Sequence, residues 1–233
     1  MIYGSHQLLS KLPDVCLSLM GKELLPAKLV KDLGITFDSN LTFSDHILKT
    51  VSSCVSSLAQ ISRIEHVFDK NTLIIIINAL VFSKLFYCSS VWSNAATTNL
   101  LKLQEVQNFA ARIISNTRKF NHVTPVLKEL PWLPVKSQLY HRDTVLAFKC
   151  MTGQAPAYLS SLLLKRTEIS GCETRNSQRI NIPLFKTSTG QRTFYYQTVL
   201  LWNSLERNLK LSESLNIFNR RLRGKLLNEF LFS

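Results

Sequence analysis

The stretch Thr72 to Trp92, TLIIIINALVFSKLFYCSSVW, is the longest and most apolar run in the chain, and its reading decides the fold. It is long enough to cross a bilayer. Asn78, Lys84, Ser89 and Ser90 interrupt it, and Lys84 lies near its middle, where a charge costs at least ~2.5–3.5 kcal/mol at the bilayer centre. The stretch therefore predicts the central buried helix of a mainly α-helical domain, wrapped by the helices before and after it, rather than a membrane span.

The flanking segments carry the helical period. From Thr42, with Asp45 three residues on as a capping box, Ile47, Val51, Val55, Leu58 and Ile61 mark one face. Asp69-Lys70-Asn71 starts the central stretch. Thr97 or Thr98 is placed to cap a further helix, whose core face is Leu103, Val106, Ala110 and Ile113. Three prolines in VTPVLKELPWLPV predict a short helix and a turn. Pro134 suits the first turn of a helix over 135–151, and Gly153 its stop. Pro156 opens another short helix.

Residues 1–43 read differently. Short apolar or alternating runs, broken at Pro13-Asp14, Gly21-Lys22 and Asp38-Ser39-Asn40, predict strands and turns, with one short helix over 5–12. Asp38 is expected to form a turn, and Gly34 a bulge or a place where another backbone comes close. Residues 44–165 form the helical core. Residues 166–191 predict an irregular basic excursion, and residues 192–233 C-terminal helices. In the last of these, Leu211, Leu215, Phe218, Leu222, Leu226 and Phe230 share one face, with Arg220, Arg221, Arg223 and Lys225 around the rest.

The net charge of the 233 residues is +13, and it is unevenly spread. Residues 1–50 are neutral, 51–117 carry +2, 118–160 carry +4 and 161–233 carry +7. This gradient points to a polyanionic partner, either nucleic acid or an anionic membrane surface, against the plain alternative of a basic solvated face. The five cysteines form no CxxC pair, so neither a disulfide scaffold nor a zinc site is expected, and a reducing compartment, nuclear or cytoplasmic, fits them.

No phosphate-binding glycine loop, GxSxG or HExxH is present, and the five histidines share no metal-ligand spacing. None of the aspartates are adjacent, so no two-metal site is expected. No catalytic residue, metal site or cofactor is assigned. What remains is basic residues beside aromatics: Arg118-Lys119 before Phe120, Arg142 beside Tyr140 and His141, and Arg192 before Phe194-Tyr195-Tyr196. Such neighbours grip phosphates and stack on bases, or lie over core aromatics with their charge in water.

Several stretches together resemble the downstream part of the reverse transcriptases of non-LTR, LINE-type retrotransposons of the jockey-like kind. They are VKDLGITFDSNLTFSDHI at 30–47, INALVFSKLFYCSSVW at 77–92, LQEVQNFAARII at 103–114, LKELPWLPVKSQLYHRDTVLAFKCMTGQAPAYL at 127–159 and FKTSTGQRTFYYQTVLLWNSL at 185–205. The resemblance implies the last strands of a polymerase palm over 1–43, followed by a helical thumb that holds a template–primer duplex of RNA or DNA by its backbone. Lys31, Leu33 and Gly34 match the hairpin that supports the primer end. Arg112, Arg118, Lys119, Arg142 and Arg192 are the candidate backbone contacts, and Lys31 joins them. The family's aromatic-Ala-Asp-Asp motif and its earlier metal-binding aspartate are not among these residues and are expected upstream of Met1. The chain by itself is thus expected to lack RNA-directed DNA polymerase activity. Other expectations are a protein-interaction module, whose partner is a full-length retroelement polymerase or a host factor, and a non-functional relic.

Overall fold

A computed structural model describes residues 1–13, 15–118, 120–170 and 179–232. Asp14, Lys119 and residues 171–178, part of the expected basic excursion, lie outside the described residues. The chain is mainly helical, with two small antiparallel two-stranded sheets. It forms two compact units. One comprises Met1–Cys88 with Asn94–Val126; the other comprises Ser89–Ser93 with Leu127–Ser233. These units cut across the segments drawn from the sequence, since residues 44–165 contribute to both.

The first unit opens with α1 (His6–Leu9), for which Ser5 is the cap. Two hairpins follow. Strands β1 (Leu17–Leu19) and β2 (Lys22–Leu24) are joined at Met20-Gly21; β3 (Leu29–Asp32) and β4 (Ile35–Asp38) are joined at Leu33-Gly34. Both two-residue loops have positive φ throughout: 50° and 75° in the first, 44° and 87° in the second. This is the type I′ geometry that matches strand twist. Gly34 is therefore a turn residue, which corrects the expected bulge. Strand β4 is the buried strand, and it packs on the long helix α2 (Ser44–Ile64).

Asp38 organises the entry to α2. Its Oδ1 accepts from the backbone N–H of Asn40 at 3.1 Å and of Thr42 at 3.0 Å, and its Oδ2 accepts from that of Phe43 at 2.7 Å. Leu41 and Phe43 are both left-handed, with φ of 52° and 57°. Phe43 occupies the N-cap position without a side-chain cap, so the capping box expected from Thr42 and Asp45 does not form. The buried face of α2 is His46, Ile47, Cys54, Leu58 and Ile61. Val51 is half-buried and Val55 exposed, and Cys54 takes the inner position expected of Val55.

The central stretch is not one buried helix. α3 (Lys70–Ile77), capped by Asp69, runs into a π-helical turn (Asn78–Phe82) and then α4 (Ser83–Leu85). The chain breaks at Cys88, with φ of 46°, and α5 (Ser89–Trp92) belongs to the second unit. The wider π turn re-aims the apolar stripe. Leu73, Ile77, Val81, Phe82, Leu85 and Phe86 are buried, whereas Ile75 is 67% exposed and Leu80 and Tyr87 are also exposed. Only one side of the stretch is covered, by α2 and by α6 (Thr97–Ser115). The N-cap of α6 is Ala96, without a side-chain cap, in place of the expected threonine. Lys84 is exposed and donates to Ser57 Oγ of α2 at 3.2 Å. No helix among the described residues is long and apolar enough to cross a membrane.

Following α7 (Thr124–Glu129), the second unit is built on α8 (Val135–Met151), α12 (Phe194–Ser204) and α14 (Leu215–Leu231), with short helices α9 (Ala157–Ser160), α10 (Arg166–Ser170), α11 (Ser188–Gln191) and α13 (Arg207–Lys210) between them. Phe148 of α8 stacks on Phe218 of α14 with centroids 4.2 Å apart, and Trp202 of α12 lies 6.4 Å from Phe148. Leu222 and Leu226 continue the inner face of α14, whereas Leu211 is exposed. Ile180 is fully buried in the same core. Its N–H donates to the Asn203 side-chain oxygen at 3.0 Å and its carbonyl accepts from the Asn203 amide at 2.9 Å.

Candidate nucleic-acid interface

The expected contact residues fall at separate places in the two units. In the first unit, Lys31 and Leu33 lie on and beside the β3–β4 turn, and both are exposed. The turn is anchored from outside the hairpin. The Tyr87 hydroxyl donates to the Leu33 carbonyl at 3.1 Å, and a Cβ on Gly34 would lie 3.2 Å from Tyr87 Cε1. What comes close to Gly34 is thus an aromatic ring and not a backbone. Tyr87 was missed by sequence reasoning, because a contact across 54 positions leaves no local signal.

Arg112, Arg118 and Phe120 are gathered at the C-terminal end of α6. Asn116 ends the helix in the left-handed conformation, with φ of 51°, and the Thr117 N–H returns to the Arg112 carbonyl at 3.1 Å. Beyond it, the Asn121 N–H donates to the Arg118 carbonyl at 3.1 Å, and the Arg112 guanidinium donates to the Asn121 carbonyl at 3.4 Å. Arg112 is half-buried and holds this loop, while Arg118, Phe120 and His122 are exposed. Lys119 lies outside the described residues. A shallow cleft beside the loop is lined by Arg112, Glu65, Phe109 and Thr117.

In the second unit, Arg142 is exposed on α8 next to His141 and Asp143. Burial pushes the Asp143 carboxyl up, against the opposing pull of the Ser90 and Ser93 hydroxyls and the charge of Arg142. The Ser90 hydroxyl donates to Asp143 Oδ1 at 2.6 Å. His141 is buried where α8 meets α14. Desolvation holds its pKa down, and Arg223 and Arg142 push the same way; Asn219 opposes the shift, although neither ring nitrogen completes a hydrogen bond of normal geometry among the described residues. Arg220 and Arg221 project into solvent from α14. Their neighbours are engaged: Arg223 donates to the Pro131 carbonyl, and Lys225 pairs with Glu206 and Glu229.

Arg192 is half-buried at the end of α11, where its backbone N–H closes the helix onto Ser188 and Thr189. Tyr195 and Tyr196 pack edge-on against Phe185, at 6.3 and 6.0 Å between centroids. The aromatic run beside Arg192 is therefore partly core.

The described residues contain no group of three or more metal-ligating side chains. Chemically, the surfaces offer guanidinium and ammonium groups for phosphate oxygens and a few exposed rings. No protein-family model matches the chain, and no curated protein or solved structure matches it significantly.

Proposed function

We propose that the chain is the non-catalytic C-terminal part of a retrotransposon reverse transcriptase of the non-LTR kind, and that it binds a template–primer duplex through the nucleic-acid backbone. In this reading residues 1–43 are the end of a palm, the β3–β4 turn supports the primer end, and the helices serve as a thumb. The observation that carries the binding function is positive charge on solvent-facing arginines in stretches empty of carboxylates. Arg220 and Arg221 are exposed on α14, and no Asp or Glu occurs between Glu213 and Glu229; Arg118 is exposed in a stretch with none between Glu105 and Glu129. Exposed cations of this kind release counterions from a phosphate backbone, and they read little sequence.

A salt titration of duplex binding by the purified chain tests the reading. Affinity should fall steeply with rising salt, with similar slopes for unrelated sequences. Binding indifferent to salt, or none at low salt, overturns it. Primer extension by the chain with magnesium would overturn its non-catalytic assignment.

A protein-interaction module is the second reading. The exposed apolar side chains of Ile75 and Leu80 in the first unit favour it. Capture of a partner that survives nuclease treatment would support it over the first.

A further inference from the structure

We propose that Phe120 is a stacking platform for an unpaired nucleobase adjoining the bound duplex. This deepens the nucleic-acid reading above and rests on it.

A single exposed apolar side chain is ordinary on a protein surface. Phe120 differs in three respects. The residue is 94% exposed, so it has almost no packing role in its own unit. The residue that follows it is nevertheless held: Asn121 is bound through its N–H by the Arg118 carbonyl and through its carbonyl by the Arg112 guanidinium. The helix before it is closed by Asn116 and by the paired hydroxyls of Ser115 and Thr117, 2.6 Å apart. The ring is thus carried next to a residue held at both its N–H and its carbonyl.

The third respect is charge. Residues 106–126 contain Arg112, Arg118 and Lys119 and no carboxylate, and Arg118 and His122, two residues to either side of Phe120 in sequence, are exposed. Glu65 enters the neighbouring cleft beside Arg112. An apolar protein partner gains nothing from the exposed Arg118 guanidinium beside it. A nucleotide uses both parts, since its phosphate meets the guanidinium and its base covers the aromatic face. Stacking of one base on one aromatic ring is tolerant of sequence, because every base has a π-face. A base inside a duplex is already stacked on both sides, so the ring selects an unpaired one at an overhang or junction.

The experiment compares, at one salt concentration, a blunt duplex with the same duplex carrying a short single-stranded overhang. The wild-type chain should bind the overhang substrate more tightly, by about fivefold to a hundredfold, the range for one base–aromatic stack. Phe120→Ala should abolish that difference and leave blunt-duplex affinity unchanged. Phe120→Leu, which keeps an apolar side chain without a ring, should behave like Ala, and Phe120→Trp should retain the preference and lose indole fluorescence when the overhang binds. Equal binding of both substrates by the wild type, or an unchanged preference in Phe120→Ala or Phe120→Leu, overturns the platform while leaving duplex binding intact. Failure of the wild type to bind the blunt duplex overturns the parent reading instead.

Discussion

The Tyr87 hydroxyl reaches across 54 positions to the Leu33 carbonyl, and its ring edge occupies the space that a side chain on Gly34 would fill. One residue thereby fixes a hairpin tip in two ways. It satisfies a turn carbonyl that strand pairing cannot reach, and it walls the side on which only glycine fits. The tip carries Leu33 at φ 44°, 85% exposed, at a position where Asn or Asp is preferred.

Gly34→Ala should cost about 1–3 kcal/mol, because the left-handed backbone strains any Cβ and Tyr87 must also shift. Tyr87→Phe should lower stability in the same direction by less. Leu33→Asn should raise it slightly, since asparagine tolerates the left-handed region. Urea midpoints of the three variants check both signs.

Asp38 holds three backbone N–H groups around two left-handed residues. Asp38→Ala should cost about 3 kcal/mol, since charge-assisted hydrogen bonds are lost and buried donors are stranded. Asp38→Asn, with one acceptor oxygen left, should cost less. Hydrogen exchange at the Thr42 and Phe43 amides should accelerate in both variants.

Acid should destabilise the fold through its two buried histidines. The pKa of His46 is lowered by burial and then by Lys49, and the Thr36 N–H donates to its Nδ1 at 3.3 Å, a bond that protonation of that nitrogen breaks. His141 is lowered in the same direction. A folded-state pKa below the unfolded value gives stability that is complete above the unfolded value, near 6.5, and is lost as pH falls through the folded one. Within that window each histidine should contribute a slope of up to ~1.4 kcal/mol per pH unit. Urea titrations across pH 5 to 8 measure it, and His141→Gln should flatten the curve.

Asp143 acts with the opposite sign. Its raised pKa means that ionisation opposes folding, so its contribution is present below the ordinary carboxylate range and is lost as pH rises through the folded pKa. Asp143→Asn should therefore be neutral or stabilising at pH 8, while Ser90→Ala, which removes the hydrogen bond to Oδ1, should be destabilising there. Thermal unfolding at pH 8 distinguishes the pair.

If Arg220 and Arg221 meet phosphates, their joint change to Gln should reduce the slope of log affinity against log salt by about 0.9 for each contact on a duplex. The loss should be the same for unrelated sequences. A loss confined to one sequence would indicate base reading instead.

Long amphipathic segments were legible in the sequence. Leu58 and Ile61 in α2, Leu103 and Val106 in α6, and Phe218, Leu222 and Leu226 in α14 are buried as their spacing predicts. Asp38 was legible as a turn former because its side chain acts locally. The central stretch was not, because its π turn and the left-handed Cys88 carry no glycine or proline to mark them. Isoleucine after isoleucine told nothing of which would face water, and Ile75 does. For the candidate interface, sequence named cations but could not distinguish Arg112, which braces a loop, from Arg118, which is exposed; that difference depends on where Asn121 returns.

Asn203 behaves as a fragment of β-strand supplied by a helix. Its amide closes both hydrogen bonds of Ile180, whose other side bridges Lys165, while Arg166 and Asn181 bond across the same junction. The stem of the excursion is thus clamped independently of what lies between its ends. The same clamp makes Asn203, a polar residue within α12, the position at which a hydrophobic replacement would release the segment.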